Sequence, residues 1–598
     1  MKQKENKSTS GMLYGLTFIT PVVYSLALQE MDNMQKLVFS GLALIIFLTV
    51  IRSLKNIEVI SLNKYLMLTI LFFPISFLTA FINNSENNLP LLLTNILFPI
   101  SLILLTVFML KIYGEEKFFK VVSFSVVYIS TLFALIGLLE VFKLSFIPLP
   151  TIIPPGSTIG HRSFAVEYLL SSIPFILILK EYIRKQNYPW LLISLFINIS
   201  FVLFTRSRSA MLVLIIIIII YFIYSFTKMK QKVKQLLPIA GIIVAALIFS
   251  FLPAEGSQRT DIKKAAESLF DTEFRSNRLR LTYWDASFQM IKENPLIGMG
   301  LFKWSGYYPK YFGKEFNDNT IFYMQSTHAH NDFLELFAEN GFLSPLVYLF
   351  ILFLILKSTF IKSKTNSLYF FVFLSVISTA IFSLVAFPLY KLSSHFYLSV
   401  CTGIALVGIK HTEKKSILIK FKYLKTIFIL ILGIVIITSF IKLKSELNYI
   451  DALDCMNRKS FAKMNEKLDD VSRLFYPYNP PKQPVDYYRG VVNSFTKNYT
   501  KALKYYLQAE ELAPFSPVIL NGIATVYRNM GNTAEAISRF EKLKVLFPEY
   551  SDPQIKLLYL YVAEKQEAKG KKLLTELISK FPDNPNLLKI KKMAFQNE

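Results

Sequence analysis

The chain has 598 residues, 53% of them hydrophobic and 54 of them phenylalanine, with a formal net charge of +25. So much apolar surface excludes a soluble globular chain and predicts a membrane protein. The charge does not mark a nucleic-acid binder, because much of the excess lies in short connections between apolar runs, where basic residues orient membrane helices.

In chain order, apolar runs long enough to cross ~30 Å of hydrocarbon start near residues 11, 36, 64, 89, 118, 164, 189, 210, 236, 341, 368, 396 and 424, which predicts about thirteen spans. The clearest is Ala210–Phe226, AMLVLIIIIIIYFIYSF. The first, Gly11–Ala27, lacks a small-x-small cleavage site, so it reads as a retained helix rather than a signal peptide. Alternate connections are basic, from Lys2, Lys4 and Lys7 through Lys228, Lys230, Lys232 and Lys234 to Lys410, Lys414 and Lys415. The intervening short ones, such as Asn83–Asn88, are nearly free of Lys and Arg. This alternation predicts a multi-pass membrane protein with its N-terminus in the cytoplasm and a loop of about 253–331 outside. An odd span count places the C-terminal domain outside as well.

Two outer connections break the pattern: Gly160-His161-Arg162-Ser163 and Thr205-Arg206-Ser207-Arg208-Ser209. Positive charge at an outer boundary opposes insertion, so Arg162, Arg206 and Arg208 are candidates for a task beyond snorkelling. After Lys442 the composition turns polar, with a period of 34 residues marked by Pro514, Pro548 and Pro582. Ala502-Tyr506-Ala509 and Ala536-Phe540-Leu543 hold equivalent places in that period, as tetratricopeptide repeats require. The predicted fold is all-α: a polytopic bundle over 1–442 and a helical solenoid over 443–598, with a further divergent helical pair near 448–481. The solenoid reads either as a brace for the bundle or as a dock for a protein partner or acceptor, separable as a unit from the catalytic chemistry.

Cys401 and Cys455 are the two cysteines, and five histidines are scattered through the chain. No disulfide, no metal site and no cofactor are expected, and no phosphate-binding Gly-rich loop is present.

The outer loop holds the chemistry. Arg280-Leu-Thr-Tyr-Trp284 is followed by Pro295-x-x-Gly298-x-Gly300, and then by His330-Asn331, nine residues and Gly341. With Ser207-Arg208-Ser209-Ala210 at the head of an apolar helix, and the turn at Gly160, these motifs resemble the O-antigen ligase superfamily in order and topology. His161 and Ser163 stand where that family usually has asparagines, and Ser344 where it often has glycine.

The resemblance implies a metal-independent glycosyltransferase of the C-type helical fold, using an undecaprenyl-diphosphate-linked glycan as donor. The expected acceptor is a hydroxyl of lipid A–core on the periplasmic face. A carrier-linked glycan (polymerase) or a protein (O-oligosaccharyltransferase) are the alternatives, and a lipid-linked glycan transporter is the non-enzyme reading. Arg208 and Arg280, aided by Arg206 and Arg162, would hold the diphosphate, since a guanidinium pairs bidentately with phosphate and stays charged. His330 would be the general base, with a pKa near its ordinary value. Asn331 would orient substrate or cap the following helix, and Asp332 is a further cap. His328 is expected to shape the pocket, Glu335 and Glu339 to orient His330 or the acceptor, and Glu167 is costly to bury in an apolar run. Tyr283, Trp284, Trp304, Tyr307 and Tyr308 would stack on sugars or form an interfacial belt.

Overall fold

The computed structural model describes residues 11–54, 58–75, 81–82, 88–230, 232–253, 275–313, 318, 326–407, 416–582 and 584–594. The expectations resting on Lys2, Lys4, Lys7, Lys410, Lys414, Lys415, most of Asn83–Asn88 and the outer-loop stretch 254–274 lie outside these residues.

The chain is an all-α polytopic protein. A short helix over Gly11–Val22 leads into α1 (Asp32–Leu54), α2 (Lys64–Ile75), α3 (Leu89–Val141), α4 (Arg162–Ile178), α5 (Tyr188–Phe204), α6 (Arg208–Thr227) and α7 (Val233–Phe249). The long loop after α7 contributes α8 (Arg275–Glu293), α9 (Trp304–Phe312) and α10 (Asp332–Asn340). The bundle closes with α11 (Leu343–Ser363), α12 (Leu368–Val385), α13 (Leu392–Val407) and α14 (Phe421–Asn457). Among the described residues, seven helices are long and apolar enough to cross a membrane, and five shorter ones are apolar too. Helix is the form such sequences take in lipid, because it satisfies every backbone polar group within the segment. On α6, Ile215, Ile219 and Ile223 are 53, 51 and 57% exposed. Their i, i+4 spacing makes one apolar stripe on the outside of the bundle, the face that lipid covers.

The starts predicted near 89 and 118 fall on two successive helices, which meet within α3. It bends at Gly114, whose φ of 73° and ψ of 166° interrupt the helix. A departure from a purely helical chain is a small antiparallel ribbon that pairs β1 (Val59–Asn63) with β2 (Ser416–Lys420), Ile60 opposite Ile419. Short β-branched runs at helix entrances satisfy one another's backbone there, where span-length periodicity carries no signal.

The change of composition at 442 is not a break in the fold, because α14 runs unbroken from Phe421 to Asn457. Its tail packs on α15 (Phe461–Asp469), forming the divergent pair expected near 448–481. Three regular hairpins follow: α16 (Val485–Phe495) with α17 (Tyr499–Leu512), α18 (Pro517–Asn529) with α19 (Thr533–Leu546), and α20 (Ser551–Ala563) with α21 (Glu567–Lys580), then α22 (Pro585–Ala594). Ala502, Tyr506 and Ala509 are buried, as are Ala536, Phe540 and Leu543. The Tyr506 ring lies so close to Gly490 and Gly522 that a side chain at either glycine would collide with it.

The solenoid grips the long loop that carries α8, α9 and α10. Trp304 and Tyr308 of α9 share one hydrophobic core with Phe540, Phe547 and Leu557. Gly306 abuts Ala513, and its carbonyl accepts from Phe515 N at 3.3 Å. The Asp318 carboxylate accepts from Ser551 N at 3.1 Å. Trp304 and Tyr308, candidates for sugar stacking by sequence, are core residues of this interface, 1% and 0% exposed.

Candidate active site

The site is assembled around α10. Asn331 is its N-cap, with Oδ1 accepting from Phe333 N at 3.0 Å and Leu334 N at 3.1 Å. Its Nδ2 donates to Leu384 O at 3.0 Å. Of its two expected roles the amide is thus engaged in the cap. The far end of α10 meets the glycine motif. Met299 N donates to Ala338 O at 2.8 Å and Gly300 N to Glu339 O at 2.9 Å. A side chain on Gly298 (φ 71°) would run into the Glu339 carbonyl, and one on Gly341 (φ 74°) into that of Leu296. The spacing of Pro295-x-x-Gly298-x-Gly300 and the distant Gly341 therefore reflects one backbone-to-backbone joint that only glycine permits.

Two glutamates one turn apart on α10 latch two loops. Glu335 Oε1 is 2.7 Å from His328 Nδ1, and its Oε2 accepts from Ala329 N at 2.8 Å. Glu339 accepts from Trp304 N at 3.0 Å, which caps the start of α9. Burial pushes both carboxyls up, Glu339 to about 8, with the nearby Glu335 adding to its shift. Burial, with Lys482 and Lys391, holds His328 well below the usual imidazole range.

His330 follows this clamped segment with a φ of 53°, a left-handed conformation that a non-glycine residue holds only where its surroundings enforce it. Its ring is stacked on Tyr283 of α8, with centroids 5.7 Å apart and planes at 17°. It stands edge-on to Phe387 at 4.9 Å. Burial first, then the positive charge of Arg280, pushes its pKa down to about 3. The expectation of an ordinary histidine pKa is corrected accordingly: the resting imidazole is neutral with a lone pair to offer, but is a weaker base than a solvated histidine.

His330 and Arg280 line one cavity of about 610 Å³. His161, Ser163 and Phe164 from the start of α4, and Ser209 from the first turn of α6, line it too. Two helix N-termini thus face the same space, and each carries partial positive charge. Arg162 and Arg208 occupy the first helical positions of α4 and α6, one residue from lining residues. Arg206 is placed differently. It is fully buried, and its guanidinium donates to Ser250 O at 2.6 Å and Leu203 O at 3.4 Å. It closes the C-terminal ends of α7 and α5, where a cation suits the helix dipole.

Sequence reasoning passed over much of the wall. Glu30, Asp32, Lys36, Lys391 and Lys442 line the cavity, and so do Phe475–Lys482 of the C-terminal domain. The repeat region therefore does not stand apart from the site. Lys36, near the start of α1, and Lys391, between α12 and α13, fall at boundaries that the charge alternation expects outside, so the signal that drew attention to Arg208 was available for them. Glu167, marked as costly to bury, also lines the cavity and is 2% exposed.

Residues 193–349 match the family model described as O-antigen ligase, and residues 522–550 match a tetratricopeptide-repeat model. The chain carries an O-antigen ligase domain followed by tetratricopeptide repeats on a helical membrane bundle. The first match supports, in general terms, a membrane glycan ligase. Among curated proteins it is similar to photosystem I assembly protein Ycf3 of Rippkaea orientalis (strain PCC 8801 / RF-1), 29% identical over 104 residues, which are 17% of this chain and 53% of that protein. The same protein of Cyanophora paradoxa is 29% identical over 102 residues, 17% of this chain and 58% of the relative. The chain thus spans just over half the length of these relatives.

Proposed function

We propose that the protein transfers an oligo- or polysaccharide from an undecaprenyl-diphosphate carrier to an acceptor hydroxyl, with lipid A–core as the acceptor, on the periplasmic face of the inner membrane. The observation that carries this reading is the pairing of His330 with Arg280 in one cavity, beside the N-termini of α4 and α6. The diphosphate sits against Arg280 and those two helix ends, with Arg208 and Arg162 supporting them from the first helical turns.

The acceptor oxygen attacks the anomeric carbon, the bond from that carbon to the phosphate oxygen breaks, and the electron pair leaves with the diphosphate. The hydroxyl proton passes to His330. Arg280 stabilises the charge that grows on the leaving group. It also sets the base: its charge holds His330 down in the empty site, and the arriving diphosphate offsets that charge, so the imidazole becomes a stronger base when donor is bound. The transfer proceeds through these side chains without a metal ion.

Inactivating the protein and examining surface glycans tests the acceptor. Outer-membrane lipid stripped of long chains while carrier-linked polymer accumulates is the expected result. Lipid capped with a single repeat would instead mean a polymerase, and loss of a protein glycan an oligosaccharyltransferase.

A further inference from the structure

The cavity has a second charged end, which the transfer chemistry above does not use. Four lysines reach it from distant parts of the chain: Lys36 on α1, Lys391 between α12 and α13, Lys442 on α14, and Lys482 in the turn before α16. Among the described residues that line the cavity, these four and Arg280 stand with three carboxylates, Glu30, Asp32 and Glu167, while Glu335 and Glu339 act on Lys482 from behind the wall. Other acids nearby are engaged elsewhere: Glu446 accepts from Gln29 N at 2.9 Å and Glu30 N at 2.7 Å, and Glu335 and Glu339 hold the loops described above. Glu30 and Lys391 approach to 3.6 Å. A wall lined by more cationic than anionic side chains suits an anionic occupant.

The two ends adjoin at Lys391. The charge of Arg280 acts on His330; that of Lys391 acts on His161 as well as on His328, and its ammonium lies 5.4 Å from the Phe164 ring centre; those of Lys482, Lys36 and Lys442 act on Glu30. Lys482 is held in place by its turn. Asn479 Nδ2 donates to Tyr449 Oη at 2.8 Å and Tyr488 Oη at 3.2 Å, while its Oδ1 accepts from Gln483 N at 2.8 Å. The Lys482 ammonium lies 5.0 Å from the Phe302 ring centre and 5.8 Å from that of Tyr478, a cation–π cradle that aims it inward. The volume, about 610 Å³, falls within the roughly 300–1,000 Å³ of small-ligand sites and leaves room for sugar beyond the diphosphate.

We infer that this lysine end is the acceptor subsite, that it takes a glycan bearing a phosphate or carboxylate group, and that Lys482 of the C-terminal domain is one of its cationic contacts. The inference rests on the transfer reading above, which places the donor at Arg280. The acceptor's anionic group docks among the lysines, and a hydroxyl of the same glycan reaches His330.

The test uses the full-length protein in detergent. Undecaprenyl diphosphate is titrated first, and then glucose, glucose 6-phosphate and glucuronate with the diphosphate bound. At least one anionic sugar should bind about tenfold or more tighter than glucose. Preference for glucose 6-phosphate alone identifies a phosphate ligand, and preference for glucuronate alone a carboxylate. Lys482→Asn removes the charge yet tolerates the φ of 63° at this position. It and Lys391→Gln should erase the preference while leaving undecaprenyl diphosphate affinity within about twofold, and Lys482→Arg should restore it. Equal binding of all three sugars overturns the inference. So does a Lys482→Asn protein that loses undecaprenyl diphosphate and keeps the sugar preference, since the lysines would then hold the donor. If undecaprenyl diphosphate does not bind at all, the transfer reading fails, and the same sugar titration without it still decides whether the lysine end prefers anions.

Discussion

The two ends of the cavity are built in opposite ways. The His330 end is local: Arg280, Tyr283 and His330 lie within the one long loop between α7 and α11, and α10 fixes that loop with its N-cap, its two glutamates and its glycine joint. The lysine end is collected from single residues spread between Glu30 and Lys482, with the last supplied by the C-terminal domain. One end is therefore sensitive to changes in the geometry of a single loop, and the other to changes in how distant elements dock. The solenoid bears on both, since it carries Lys482 and also beds α9, which adjoins the joint at Gly300.

The largest effect that would break this comparison comes from removing the C-terminal domain. A chain ended after Lys444 should lose transfer to every acceptor, a simple surrogate included, because one cavity wall and the bed of α9 go together. Membrane-inserted truncated protein that still modifies a surrogate would show that the His330 end stands alone.

Arg280→Lys keeps the charge and loses the planar fork. A fall in kcat/KM of about 10²-fold is expected, with membrane levels unchanged. Arg280→Gln sharpens the point through pH. Because burial and Arg280 hold His330 near 3, the acid limb of kcat/KM in the intact enzyme lies well below the ordinary imidazole value of about 6.5. Removing the guanidinium should move that limb upward, and a limb that stays in place would separate Arg280 from His330.

Gly341→Ala sets a side chain against the Leu296 carbonyl at a positive φ. A loss of about 1–3 kcal/mol is expected on the strained backbone alone, read as a lower melting temperature. The smallest effect is at Glu339. Its carboxyl is raised to about 8 in the folded protein, so the folded state holds a proton that the unfolded state releases at about 4.3. Stability from this group is present below about pH 4 and is lost as pH rises toward 8. Glu339→Gln, which cannot ionise, should flatten that loss, seen in melting temperatures taken across the same range.

The same contrast explains what could be read from the residues. The Arg280, Gly298, Gly300, His330 and Gly341 constellation has fixed spacing because its members pack on one another, so a linear motif records it. The helical bundle and the 34-residue repeat were legible because burial imposes a period on the sequence. Lys36, Lys391, Lys442 and Lys482 share no spacing, since nothing in the chain but tertiary docking brings them together. Lys442 read as the edge of an apolar run, and Lys482 carried no signal of its own. Arg206 illustrates the converse: its charge stood out in an outer turn, but the carbonyls it caps belong to α5 and α7, and the second of these could not be paired with it from sequence.

The central claim is that His330, rather than the buried His328 held by Glu335, takes the acceptor proton. Single-turnover transfer by purified His330→Ala and His328→Ala proteins, with undecaprenyl diphosphate binding measured alongside, tests it most directly. His330→Ala should transfer about 10²–10⁴-fold more slowly while binding the carrier normally, and His328→Ala should be much milder. Near-normal transfer by His330→Ala, or an equal loss in both proteins, would contradict it.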